Sequence, residues 1–98
     1  MNSPSAEIMV RHNEGENRFE AEVDGRLGVA DYDLRGTEMI MTHTFVPPEL
    51  RGRGIAAKLV RSALEHARSE RLKVVPACSY VAAYFKRHPE FRPLLADV

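Results

Sequence analysis

Val46-Pro47-Pro48-Glu49-Leu50-Arg51-Gly52-Arg53-Gly54-Ile55-Ala56 is the stretch whose two sides obey different rules. Before it, apolar residues recur with the period of a strand. After it, they recur with the period of a helix. The two prolines remove ladder donors, so a strand that reaches them must end or splay. From Ile55 onward, Ile55, Leu59, Val60, Ala63, Leu64 and Ala67 form one apolar stripe. Lys58, Arg61, Ser62, Glu65, Arg68 and Ser69 face away from it. A strand, a basic glycine loop and an amphipathic helix therefore follow one another here.

Working upstream, residues 38–46 read as a fourth strand. Met39, Met41, His43 and Phe45 fall on one face, and Ile40, Thr42, Thr44 and Val46 on the other. Neither face is strongly polar, which predicts a central strand covered on both sides. Residues 7–12 read as a first strand, and residues 13–17 as a polar turn. Phe19, Ala21 and Val23 alternate with Glu20, Glu22 and Asp24, the pattern of a half-buried second strand. Asp24-Gly25 is a hairpin signal. A third strand carries Leu27, Val29 and Tyr32, with Ala30 and Asp31 disturbing its alternation, and Arg35-Gly36 turns the chain again. Downstream, residues 72–76 make a fifth strand and residues 79–88 a second helix that stops at Pro89. Phe91, Leu94 and Leu95 are expected to pack the tail. The order is ββββ-α-β-α, an α/β (α+β) fold with a mixed sheet. The crossover from the fourth strand through the helix makes strands four and five parallel. Such a unit puts a ligand site at the carboxyl end of the strand, where the helix begins.

The chain has 98 residues, enough for one domain, expected over residues 7–98 after a disordered terminus at residues 1–6. No apolar run approaches the roughly 20 residues that cross a bilayer. The first residues lack a basic start and an apolar stretch, so no secretory signal is read. A single cysteine excludes an internal disulfide and fits a reducing, cytoplasmic setting. Net charge is zero, yet residues 1–49 carry 4 Lys/Arg against 10 Asp/Glu, and residues 50–98 carry 10 against 4. An anionic ligand would prefer the second half. The neutral total, the 7% aromatic content and the absence of a binding motif argue against a nucleic-acid partner.

The glycine loop has the chemistry of an anion site. The first turn of a helix offers free N–H groups and the positive end of the helix dipole. Phosphate suits both. Gly52 and Gly54 let the backbone approach the ligand, and Ala56 leaves it room. Arg51 and Arg53 add charge and donors.

In this context the stretch from Val46 to Ala56 resembles the acyl-CoA signature of the GNAT superfamily, Q/R-x-x-G-x-G/A. Arg51, Gly54 and Ala56 match its fixed positions. The size of the chain resembles the small members, of about one hundred residues, that keep the CoA half. The resemblance implies that residues 51–56, including Gly52, Arg53 and Ile55, hold the CoA pyrophosphate. It implies that strands four and five splay apart and that Thr44, Phe45 and Val46 line the pantetheine arm. An amide near Phe45 or Val46 would then stabilise the thioester oxyanion.

Three side chains are candidates for chemistry. Cys78 sits at the mouth of the second helix, where a thiol is shifted toward thiolate. Position alone leaves open a nucleophile, an acid or a small core residue. The segment Pro76-Ala77-Cys78-Ser79-Tyr80-Val81 resembles the one that carries a cysteine in the small subgroup, which favours an active-site role. His43 lies near the expected thioester end and is expected to face one cleft with Cys78, as a base. Tyr84-Phe85-Lys86-Arg87-His88-Pro89-Glu90-Phe91 resembles the superfamily's Y-x-K-x-G-F segment, which makes Tyr84 a donor to the leaving thiolate. The match departs at His88-Pro89-Glu90, and the usual asparagine at the helix start is missing. Lys86 and Arg87 are candidates for the adenosine phosphate. The histidines and the cysteine lack metal-ligand spacing, so no metal is expected. The expected function is acetyl transfer from acetyl-CoA to a primary amine, such as a protein or peptide lysine. The alternatives are a CoA-binding module with little turnover and, more remotely, a nucleic-acid-binding module.

Overall fold

Asp24 and Gly25 have φ values of 55° and 74°, the two left-handed residues that a tight hairpin turn requires. They join Arg18–Val23 (β2) to Arg26–Arg35 (β3). Glu38–Phe45 (β4) returns beside β3 through a turn at Gly36, φ 62°. This computed structural model describes residues 8–96. The expected disordered terminus and the first residue of the expected first strand lie outside that range.

Arg11–Asn13 (β1) pairs antiparallel with β2, a shorter strand than residues 7–12 implied. The polar turn after it is a 3₁₀ turn over Glu14–Glu16, capped by Asn13 and closed by Asn17 in the left-handed region. Helix Ile55–Ser69 (α1) then carries the chain across to Lys73–Pro76 (β5), which lies parallel to β4. The sheet order is β1-β2-β3-β4-β5. Helix Ser79–Arg87 (α2) and a 3₁₀ segment, Pro89–Leu94, complete the chain. Leu95 bridges to Val74 at the free edge of β5.

One irregularity reorganises β4. Asp31 pairs with His43, but Tyr32 pairs with Met41, so Thr42 has no partner of its own. This β-bulge explains the broken alternation around Ala30 and Asp31, and it inverts the phase of β4. Met39 and Met41 point into the core, and Thr44 and Val46 continue that face. His43 and Phe45, expected beside the methionines, are exposed on the opposite face.

The helices pack on a single face of the sheet. A Cβ on Gly28 would stand 3.3 Å from Ile55 and 3.5 Å from Leu59, so α1 lies directly against β3. The six stripe residues of α1 are all buried. They share one core with Phe19, Ala30, Tyr32, Met39 and Met41 of the sheet, and with Val81, Phe85 and Phe91 of the C-terminal segment. Phe91 also lies under the guanidinium groups of Arg61 and Arg68. The other face is bare: Val29, Ile40 and Val75 are only half-buried there. β4 is therefore covered on one side, not two. Only a 3₁₀ turn separates β1 from β2, so among the described residues no helix covers the outer face.

Candidate active site

β4 and β5 pair only as far as Met41 and Pro76. The last bond between their ends runs from the Cys78 amide to the Met41 carbonyl, at 2.9 Å. Beyond it, residues 44–46 have no partner on the β5 side, so the strands splay. Peptide groups alternate in direction along a strand. The Phe45 carbonyl faces Gly28 of β3, which turns the peptide groups of Thr44 and Val46 into the splay. The Val46 carbonyl accepts from Arg51 Nε at 3.0 Å. The Val46 N–H points into the gap.

The glycine loop closes the wide end. Leu50, 1% exposed, anchors the 3₁₀ turn Pro48–Leu50 in the core. Gly52 and Gly54 have φ values of 86° and 76°, where only glycine is unstrained. A Cβ on either would meet nothing within 4 Å, so the space above both is open to a ligand. Helix α1 starts with Lys58 N donating to Gly54 O, which leaves the amides of its first turn free. The groove so formed has a volume of about 220 Å³ over Gly52, Gly54, Ala56 and Ala57. It adjoins a second space of about 240 Å³ lined by Thr44, Phe45 and Val46. Arg51 and Tyr80 belong to both. A cavity of about 420 Å³ at the other end of α1 is larger, but no Lys or Arg lines it. The groove is therefore the better phosphate site.

Cys78 is the N-cap of α2 and lies at the narrow end of the splay. Its Sγ is 3.6 Å from Thr44 Oγ1. Burial raises its pKa, but the Val81 and Tyr80 amides of the first helical turn, with the Thr44 hydroxyl and amide, outweigh it and bring the thiol below its ordinary value. Tyr80 shows the opposite balance. Burial raises its phenol, against a smaller opposing effect of Arg87.

Of the expected residues, Thr44, Phe45, Val46, Arg51, Gly52, Gly54, Ile55 and Ala56 do line this groove. Arg53 is held by Asp24 at 3.3 Å, and Glu49 by Arg26 at 3.5 Å, so the β2–β3 turn is tied to the loop. Three sets of expected residues lie outside the groove. His43 does not share a cleft with Cys78, because the bulge at Thr42 turns it to the outer face, where it stacks on Phe45. Tyr84 does not line the groove. It is 5% exposed, stacks on His88 and meets Phe91 at a tilt. Lys86 and Arg87 occupy the last turn of α2, the opposite end from Cys78, and line neither part of the groove. Sequence reasoning missed Tyr80. Its only signal is position, two residues after Cys78 and one turn before Tyr84. Among the described residues, no group of three or more His, Cys, Asp or Glu is placed to hold a metal ion. No helix there is long and apolar enough to cross a membrane.

Comparison with known proteins gives a concordant result. A family model described as GCN5-related N-acetyl-transferase matches residues 18–94. Protein NATD1 of Xenopus tropicalis is 34% identical over 89 residues, covering 88% of this chain and 82% of that protein. Protein NATD1 of Homo sapiens is 34% identical over 85 residues, covering 84% and 75%. The solution structure of a GCN5-like N-acetyltransferase candidate from Staphylococcus aureus superposes with a TM-score of 0.73 at 26% identity, covering 92% of this chain and 89% of that one.

Proposed function

The chain belongs to the GCN5-related N-acetyltransferase family, and on that premise we propose that it transfers an acetyl group from acetyl-CoA to a primary amine. The observation that carries this reading is the splay itself. Free amides of the first turn of α1, open space over Gly52 and Gly54, and the inward Val46 N–H lie along two adjoining spaces, and Cys78 stands 3.6 Å from Thr44 in the wall of the second. In this reading the loop amides and Arg51 hold the pyrophosphate, while Thr44 and Val46 line the pantetheine arm. The cofactor supplies a thioester, whose carbonyl carbon is open to a nucleophile.

Two opposite shifts divide the labour between Cys78 and Tyr80. A lowered thiol pKa raises the thiolate fraction of Cys78, which suits a nucleophile and leaves less protonated thiol to serve as a general acid. A raised phenol pKa keeps the proton on Tyr80. Cys78 Sγ attacks the thioester carbonyl, and the Val46 N–H stabilises the oxyanion. The Sγ–acyl bond forms as the acyl bond to the CoA sulfur breaks, and Tyr80 gives its proton to that sulfur. An amine then attacks acyl-Cys78. Cys78 leaves as thiolate, and the amine's proton returns through water to Tyr80.

A second reading is a CoA-binding module with little turnover. The outer face favours it, since among the described residues no helix lies there to fix an acceptor. Release of free CoA thiol in the presence of a lysine-containing peptide separates the two. The transferase reading expects multiple turnovers, with loss of turnover in Cys78→Ala. A single equivalent of thiol or none, with cofactor still bound, contradicts transfer and leaves the module.

A further inference from the structure

At the end of α1 remote from the glycine loop, a cavity of about 420 Å³ opens between the helix and the sheet. His66 in its wall is eleven residues beyond Ile55, or about 16 Å along the helix axis. This cavity is therefore separate from the groove and has no part in the transfer chemistry above.

Its wall is a packed aromatic cluster. His12 lies flat on Phe19 with ring centres 4.1 Å apart, and His66 meets His12 edge-on at 4.4 Å. His12 Nε2 stands 2.6 Å from the Tyr32 hydroxyl. Burial first, and His66 second, push the His12 imidazole below its ordinary value, against a smaller opposing pull from Glu14. Both lowering effects disfavour the charged imidazole. Burial, with Glu14, raises the Tyr32 phenol and disfavours its phenolate. Glu14 and Glu70 stand in the lining, and both are exposed to solvent. Lys and Arg are absent from the lining. Helix α1 ends here, and its terminal carbonyls add negative partial charge. Leu34 and Leu72 supply an apolar wall.

Two carboxylates, aromatic rings and a helix C-terminus beside an apolar wall are complementary to an organic cation. We propose that this cavity binds an alkylammonium group, with the charged nitrogen between Glu14 and Glu70 and the alkyl chain on Leu34 and Leu72. The same chemistry is offered by a free aliphatic diamine and by a lysine side chain of another polypeptide.

The test is an amide and imidazole NMR titration of the full chain with three probes of similar length. These are 1,5-diaminopentane, a lysine blocked at both backbone ends, and the neutral 1-pentanol. Saturable shifts of His12, Gly36, His66 and Glu70 are expected with an amine and not with the alcohol. Saturation by the diamine alone assigns a free amine, and saturation by the blocked lysine alone assigns a polypeptide lysine. Glu14→Gln combined with Glu70→Gln, an isosteric change at two exposed positions, should weaken the binding at least about fivefold while leaving the rest of the spectrum intact. Equal shifts with pentanol, no saturable shift with either amine, or undiminished binding in the double variant would each overturn the proposal.

Discussion

Thr42 has no register partner on β3, and that one bulged residue reaches the chemistry. It sends Thr44 and Val46 toward Cys78 and the loop, and it sends His43 and Phe45 outward. Alternation alone put His43 beside the methionines, because a bulge leaves no mark in the pattern except a local disturbance of phase. Cys78 was legible through its place at a helix start, and the structure adds the Thr44 contact at 3.6 Å. Tyr80 was not legible, because the face a helical residue presents depends on which side of the helix is buried. Three outcomes are expected at this scale. Cys78→Ala should keep acetyl-CoA affinity, measured by calorimetry, but give no acetyl adduct in the intact mass. Tyr80→Phe should slow thiol release about 100-fold, the weight of one general acid. Tyr84→Phe should leave that rate unchanged, because its ring packs between His88 and Phe91. Equal losses in the two tyrosine variants would restore Tyr84 to the site.

At the scale of elements, α1 was readable in full. Its 15 residues repeat the 3.6 period often enough to fix both the start at Ile55 and every buried position. β1 was not, because three residues carry no period and depend on the strand they pair with. The glycine loop was read by composition, and the structure gives the reason for its glycines. Gly54 caps α1 at φ 76°, so Gly54→Ala should cost about 1–2 kcal/mol in a denaturant melt, although its methyl group meets no neighbour. Gly28 acts in the opposite way. Its backbone is ordinary, but the helix lies against it, so Gly28→Val should cost about 1–3 kcal/mol through overpacking of Ile55 and Leu59. A Gly28→Val variant as stable as the parent would show that α1 can lift from β3 without penalty.

For the whole molecule, the sheet has a helical face and a bare one. The division of charge along the chain fits this arrangement, because the basic second half supplies the glycine loop and both helices. The bare face carries one buried charge, Glu20, 3% exposed. Arg11 and Arg18 pair with it, and Asn13 donates to it at 3.0 Å. These partners, Arg11 first, hold its carboxyl down at about 2, from an ordinary value of 4.5. A depressed carboxyl stabilises the fold above its unfolded value and loses that contribution as pH falls toward the folded one. Denaturant midpoints should therefore drop between about pH 4.5 and 2, and Glu20→Gln should flatten that drop. The central claim, that the splay and glycine loop hold an acyl-CoA, is tested most directly by titration calorimetry of acetyl-CoA into the parent chain and into Gly54→Glu. One binding site with micromolar affinity is expected in the parent, and no binding when a carboxylate occupies the open space over Gly54. Absence of binding in the parent, or equal affinity in both chains, would contradict it.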